Sequence, residues 1–259
     1  MDMNRLQKLF SSQPNNLLSV FYTAGFPALN DTILVGKALE KAGADIIEIG
    51  IPFSDPVADG PAIQESNKIA LDNGMNLRFL LQQVKALRQK VTLPIVLMGY
   101  LNPVLQYGME KFCFDCAASG VDGLILPDLP LDVYLKEYKT VMEHSGISVA
   151  FLISPTTSEE RIRLVDSNSD TFIYAVSASS TTGVKKGFAD EQTQYFNKLK
   201  SLKIKTPLMI GFGISDSETF RIANQYASGA IIGSAFITML KSSQNFDADI
   251  AGFVKSIKG

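Results

Sequence analysis

The chain has one histidine and two cysteines in 259 residues, and its acids and bases nearly cancel at a formal net charge of −2. Each shortage removes a class of function. A single histidine, His144, supports neither a histidine-based metal site nor a Ser–His triad. It lies beside Glu143 and Gly146 and reads as a solvated histidine at a helix end. Cys113 and Cys116 form one C-x-x-C pair, with no second pair to complete a zinc site. They share a helical pattern with Met109, Phe112 and Ala117, which suits two small buried hydrophobes. Balanced charge offers no basic footprint for nucleic acid. No apolar run approaches the roughly 18 residues of a membrane helix. Residues 1–16 lack a basic region followed by an apolar one, so neither a secretory signal nor a membrane is expected, and the expected location is the cytoplasm.

What is present is ordinary globular material, 46% hydrophobic and 19% charged. Short apolar runs at 18–23, 45–49, 94–98, 123–126, 148–153, 171–176, 207–210 and 230–232 alternate with amphipathic stretches. Each run is short and continuously apolar, as expected of parallel strands buried on both faces. Helical patterns lie between them, at 31–42, 77–90, 109–119, 133–145, 158–166, 191–202 and 216–226. Asp31 and Ser158 stand where N-caps belong, Gly43 and Gly120 where C-caps belong. Eight strands alternating with helices predict an α/β fold, a (β/α)8 TIM barrel. An open doubly wound sheet would announce a phosphate loop after its first strand, and Thr23-Ala24-Gly25-Phe26-Pro27 fits neither common form. Residues 4–11 predict an extra N-terminal helix at the barrel bottom. No linker-like change in composition interrupts the chain, so residues 1–259 are expected to form a single barrel domain.

Barrel active sites lie at the C-terminal ends of the strands. That rule selects Glu48 at the end of the second run, Tyr100 and Asn102 after the third, Asp128 after the fourth and Tyr174 near the end of the sixth. Glu48 is the unusual one, since burying a carboxylate in an apolar run is costly and raises its pKa. Asp59 follows eleven residues later in a loop broken by Pro and Gly. The blander readings are an ion pair at the barrel mouth for Glu48 and turn formers for Asp55 and Asp59. Glycine loops follow the last three runs: Ser179-Ser180-Thr181-Thr182-Gly183, Gly211-Phe212-Gly213 and Gly233-Ser234. Tight turns would explain any one of them. Together they stand where barrels hold phosphate on backbone N–H groups. Two carboxylates beside a phosphate site suit a lyase or isomerase acting on a sugar-phosphate-like substrate.

At these residues the chain resembles the tryptophan synthase alpha chain family over nearly its full length. The matching segments include TAGFP (23–27), GADIIEIGIPFSDPVADGP (43–61), MGYLNPVLQYG (98–108), GVDGLILPDLP (120–130), GFGIS (211–215) and GSAF (233–236). The resemblance implies retro-aldol cleavage of indole-3-glycerol phosphate to indole and glyceraldehyde 3-phosphate, with no metal. It implies Glu48 as the general acid–base, Asp59 as the carboxylate that meets the indole N–H, and Tyr174 as a tyrosine beside Glu48. Phe21, Tyr100 and Phe212 would line the indole pocket. Gly183, Gly213, Gly233 and Ser234 would bind phosphate, and Thr182 would be a lid residue reaching Asp59. The lid at 177–187 departs from the family pattern at Ala178 and Ser180, which lack the usual arginine and glycine. The resemblance further implies a pyridoxal-phosphate beta chain as partner, no cofactor in this chain itself, and an α2β2 assembly. Docking would use loops 52–59, 102–107 and 128–132, through Phe53, Pro56, Pro103, Leu129 and Pro130. The absence of tryptophan from the chain suits an enzyme made when tryptophan is scarce.

Three rival readings remain at this point. A different phosphate barrel, such as an isomerase of histidine biosynthesis or a thiamine phosphate synthase, would not carry PFSDPVADGP. A free-standing lyase would release indole without a partner. A non-catalytic subunit that only activates a beta chain would have no need of Glu48, Asp59 and Tyr174.

Overall fold

The apolar runs fold into one ring of parallel strands. In this computed structural model, residues 3–57, 59–177, 190–211 and 213–259 are described. The strands are β1 (Leu17–Thr23), β2 (Ile46–Gly50), β3 (Ile95–Met98), β4 (Gly123–Ile125), β5 (Ser148–Val149), β6 (Leu152–Ile153), β7 (Ile173–Val176), β8 (Leu208–Gly211) and β9 (Gly229–Ile232). The helices are α1 (Arg5–Ser12), α2 (Asp31–Ala42), α3 (Pro61–Asp72), α4 (Leu77–Arg88), α5 (Leu101–Tyr107), α6 (Met109–Ser119) and α7 (Leu131–Val133). They continue with α8 (Lys139–His144), α9 (Glu159–Asn168), α10 (Asp190–Ser201), α11 (Ser217–Ala223), α12 (Ser234–Ser242) and α13 (Phe246–Lys258), and a π-helical turn, Tyr134–Tyr138, joins α7 to α8.

The strand order is β5-β4-β3-β2-β1-β9-β8-β7-β6, all parallel. β5 and β6 are two halves of one stave. Between them the Ala150 N–H donates to Leu124 O at 3.0 Å, and Phe151 O accepts from the Tyr174 N–H at 2.9 Å. Residues 148–153 therefore pair with β4 on one side and β7 on the other, which closes the barrel. The (β/α)8 expectation holds, with the fifth stave split where its pairing changes partner.

Two hydrophobic layers follow from burial on both strand faces. Inside, Leu17, Ile46, Val96 and Ile125 meet Phe172 and Met209, and Leu6 and Phe10 of α1 close the stack from below. Outside, Leu39, Leu87, Phe112, Phe196 and Phe236 pack the helical shell onto the strands. The expected extra helix is thus the barrel's bottom plug. It is fixed by a capping box in which Asn4 accepts from the Gln7 N–H while the Gln7 side chain accepts from the Asn4 N–H.

Gly43 (φ +89°) and Gly120 (φ +83°) end α2 and α6 in the left-handed conformation. Ser158 caps α9, accepting from the Arg161 N–H at 3.2 Å. Asp31 is not a cap: Asn30 holds that position, and the Asp31 carboxylate turns back to accept from the Ala28 N–H at 2.9 Å. Periodicity did not reveal α3, α5, α12 or α13. The first three start directly out of loops that read as Pro- or Gly-rich chemistry, and α5 is seven residues long. Residues 102–107, expected as a loop, are therefore helix.

A buried ion cluster ties the plug to the barrel. Asp122 is 2% exposed and accepts from Arg88 Nη2 at 3.0 Å, Arg5 Nη1 at 3.1 Å and the Ile95 N–H at 2.9 Å. Arg88 also donates to the carbonyls of Gly120, Val91 and Leu93. Removing one side would leave a buried charge without its partner. Asp122→Ala is expected to lower unfolding stability by about 3–5 kcal/mol. Urea denaturation would measure it, with affinity for a phosphorylated ligand unchanged in the folded fraction.

Candidate functional site

The mouth of the barrel is built from side chains that the strands cannot hide. On β1, Ser19 and Phe21 face the interior, and Phe21 is in register with Glu48 of β2. Glu48 is 1% exposed. Its Oε2 accepts from Ser19 Oγ at 3.3 Å, and its Oε1 has no hydrogen-bond partner among the described residues. Buried polar atoms are almost always paired, so this orphaned oxygen marks a place for a proton or a ligand atom. Burial pushes the Glu48 carboxyl up to about 8, with the Ser19 hydroxyl pulling slightly the other way. At neutral pH it holds a proton that it can give.

Tyr174 of β7 faces the same interior and is 4% exposed. A Cβ at Gly211 would fall 2.1 Å from the Tyr174 hydroxyl, so glycine at the end of β8 makes room for that ring. Burial first, then the charges of Glu48 and Asp59, raise the Tyr174 pKa, which keeps it a neutral donor. Asp59 comes from the loop before α3. Its Oδ2 accepts from the Tyr100 hydroxyl at 3.1 Å, and the Tyr100 ring rests on Phe53 with centroids 5.0 Å apart. Burial raises the Asp59 carboxyl, and the Tyr100 hydrogen bond partly offsets that.

A small pocket, open at its mouth, lies between these loops, with Phe21, Asp59, Tyr100, Ile63 and Asn67 on its wall. Gly50 lets Phe21 fit there, since a Cβ would meet the ring at 2.6 Å. Glu48 and Tyr174 are not on the pocket wall. A substrate that reaches Glu48 must displace side chains at the mouth.

The structure thus gathers Phe21, Glu48, Asp59, Tyr100 and Tyr174 at one end of the barrel. Sequence reasoning missed Ser19, Ile63 and Asn67. Ile63 and Asn67 are one helical turn apart on α3, a helix that was not expected. Asn67 is 4% exposed and lines the pocket. Thr182, Gly183 and Phe212 lie outside the described residues.

The phosphate positions can be judged from two glycines. Gly233 occupies the N-cap of α12 and provides no side-chain cap, whereas α11 caps itself through Asp216 and Thr219. The start of α12 is left with N–H groups for an anion. Ser234 is the first, exposed residue of α12. Gly213 has φ +77°, which an L side chain resists. At Gly233 a Cβ would sit in ordinary contact with Phe21 Cδ1, 3.4 Å away, so Gly233→Val would bring its methyl groups to the N-cap of α12 without a clash at Cβ itself. We expect this variant to raise KM for a phosphorylated substrate roughly 10- to 100-fold, or ~1.4–2.8 kcal/mol of binding. The binding constant of a non-cleavable indolyl phosphate would check it.

Other residues marked in the sequence have structural parts. Cys113 and Cys116 are unpaired and buried, and burial pushes the Cys113 thiol up to about 11. His144 is exposed, its Nδ1 2.7 Å from Thr140 O. Among the described residues, no group of three or more His, Cys, Asp or Glu gathers as a metal site would need, and no helix is long and apolar enough to cross a membrane. In the expected docking segments Leu129 is buried, packed inward behind the loop, while Val57 (86% exposed) and Leu105 (46%) stand out.

The sequence profile described as tryptophan synthase alpha chain matches residues 7–255. The tryptophan synthase alpha chain of Flavobacterium psychrophilum is 52% identical, covering 98% of this chain and 100% of its own length. That of Bacteroides thetaiotaomicron is 46% identical, covering 99% and 100%. Among solved structures, tryptophan synthase subunit alpha from Legionella pneumophila superposes with TM-score 0.88 at 32% identity, covering 99% of this chain and 98% of the other. Tryptophan synthase from M. tuberculosis, in an aminoacrylate-bound form, gives TM-score 0.85 at 30% identity, covering 98% of each chain.

Proposed function

Because the chain belongs to the tryptophan synthase alpha chain family, lyases that cleave indole-3-glycerol phosphate, we propose how its own residues divide that reaction. Glu48 is the general acid–base. Asp59 is the fixed counter-charge, and Tyr174 helps set the field between them. The observation that carries this reading is the buried, proton-holding Glu48 with one unpartnered oxygen, in the same mouth as Asp59.

The chemistry needs both carboxyls. The C3–glycerol bond cannot break while C3 belongs to the aromatic ring, so C3 must first take a proton. Glu48 gives it. Positive charge then develops at the indole nitrogen, where Asp59 accepts the N–H and stabilises the charge. The hydroxyl on the adjacent glycerol carbon next loses its proton to the Glu48 carboxylate, and a carbonyl forms there. The electron pair of the breaking carbon–carbon bond returns to the ring. Indole and glyceraldehyde 3-phosphate result, and Glu48 ends protonated as it began. Phe21 and Tyr100 line the slot for the indole. Gly213, Gly233 and Ser234 take the phosphate; the family resemblance assigns Gly183 to the phosphate as well, Phe212 to the indole pocket and Thr182 to the lid.

This scheme uses no cofactor in the chain. We assign pyridoxal phosphate to a beta partner and place the enzyme in an α2β2 assembly in the cytoplasm, with one barrel carrying the whole alpha function. The exposed Val57 and Leu105 support docking through residues 52–59 and 102–107, and 128–132 adjoins them. Indole release from indole-3-glycerol phosphate, with and without the beta chain, tests the reading. Slow release that rises steeply with the partner supports it. Fast release alone would make the chain a free-standing lyase, and no release in either case would overturn the catalytic roles.

A further inference from the structure

Asp128 stands at a strand end, where barrels place chemistry, yet the reaction above does not use it. Both its carboxylate oxygens accept from the Leu101 N–H, at 2.9 and 3.0 Å. Leu101 opens α5. The cap position before it is Tyr100, whose side chain does not cap the helix. The first N–H of α5 is therefore satisfied from the loop after β4 rather than from its own neighbour. Tyr100 is also the residue that holds Asp59, with its hydroxyl 3.1 Å from Oδ2 and its ring on Phe53. Two loops thus meet on one residue: the loop after β2 on its side chain, and the loop after β4 on the N–H that follows it.

We propose that Asp128 is a positioning residue for the lyase reaction: by fixing the start of α5 it sets the Tyr100 hydroxyl against Asp59. The inference rests on the role assigned to Asp59 above. Asp128 is exposed, so its hydrogen bond does little for the fold as a whole. Its value lies in where it acts. The groups that face Asp59 are Tyr100 from the α5 cap, Tyr174 from β7 and, beyond it, Glu48 from β2. The proton affinity of Asp59 responds to burial and to the Tyr100 hydrogen bond. Loss of Asp128 reaches Asp59 through Tyr100, which the Leu101 N–H follows in the chain. The same link gives a beta chain seated on residues 128–132 a route to the site.

The test is the pH dependence of kcat and KM for indole release, measured with the beta chain present. The proteins are wild type, Asp128→Ala, Asp128→Asn, Tyr100→Phe, Asp59→Asn and the Asp128→Ala/Tyr100→Phe double variant. We expect Asp128→Ala to lower kcat roughly five- to tenfold with KM nearly unchanged, about the worth of one hydrogen bond. Its acid-side limb should move to higher pH, as in Tyr100→Phe. The double variant should match Tyr100→Phe alone, and Asp128→Asn, which keeps an acceptor oxygen, should recover most of the rate. Wild-type kcat and acid limb in Asp128→Ala, or a loss that adds fully to that of Tyr100→Phe, would overturn the proposal. If Asp59→Asn is inactive in that case, the role of Asp59 stands and only the part given to Asp128 falls. Wild-type-like turnover by Asp59→Asn would remove both.

Discussion

Glu48→Gln is expected to reduce indole release from indole-3-glycerol phosphate by roughly 10²- to 10⁴-fold, the usual contribution of a positioned acid–base group. The amide keeps the shape of the side chain and can still meet the Ser19 hydroxyl. It cannot deliver a proton to C3, nor collect one from the glycerol hydroxyl. Both halves of the reaction therefore fail together, and affinity for a non-cleavable indolyl phosphate should stay within a few fold of wild type. Single-turnover indole release and ligand titration separate the two. Turnover near wild type would remove Glu48 from the mechanism.

The same variant carries a stability signature of opposite sign. The Glu48 carboxyl keeps its proton to about pH 8 in the folded chain, against an ordinary value of 4.5. Between those values the folded state binds more protons than the unfolded state, so stability falls as pH rises through the window. Above pH 8 the full cost of a buried, singly partnered carboxylate is present. Glu48→Gln removes it. Relative to wild type the variant should gain stability from pH 5 to pH 9, up to about 4 kcal/mol. Urea midpoints at the two ends of that range would show it. A wild-type minus variant difference that stays flat over the same range would mean that the carboxyl ionises at its ordinary pH.

The barrel was legible in the sequence because its signal is local. A strand buried on both faces must be an apolar run, and a helix that ends in left-handed backbone favours glycine, as at Gly43 and Gly120. The acid in the second run stood out against that background. Loops carry no such pattern. The sequence placed Tyr100 beside the indole, but its hydrogen bond to Asp59 depends on how the loops after β2 and β3 lean together. Asp128 was marked by its position, while its bond to Leu101 required knowing that residues 101–107 are helix. Leu129 looked like docking surface because its loop is rich in Pro, Asp and apolar residues, yet it packs inward between the exposed Asp128 and Pro130. Asn67 gave no signal at all, since an amide on an unrecognised helix resembles any surface residue until its face is known.

Asp59→Asn should lower kcat by roughly 10²- to 10³-fold, as expected when a preorganised group aimed at developing charge is lost. Asparagine can still accept from Tyr100, so the loop need not move. What disappears is the negative charge opposite the indole nitrogen at the moment that nitrogen becomes cationic. The loss should thus fall on kcat rather than on KM, because the ground-state indole is neutral. Substrate chemistry supplies a second check. An N-methylated substrate has no N–H to offer, so wild type should lose much of its advantage on it, while Asp59→Asn loses little more. The pH profile supplies a third. Asp59 must be ionised to act, and burial lifts its carboxyl above the ordinary 3.8. Wild-type activity should fall on the acid side as that group protonates, and in Asp59→Asn this limb should vanish while the alkaline limb set by Glu48 remains. An acid limb that persists unchanged in Asp59→Asn would assign it to another group and would leave Glu48 as the only carboxyl acting in the reaction.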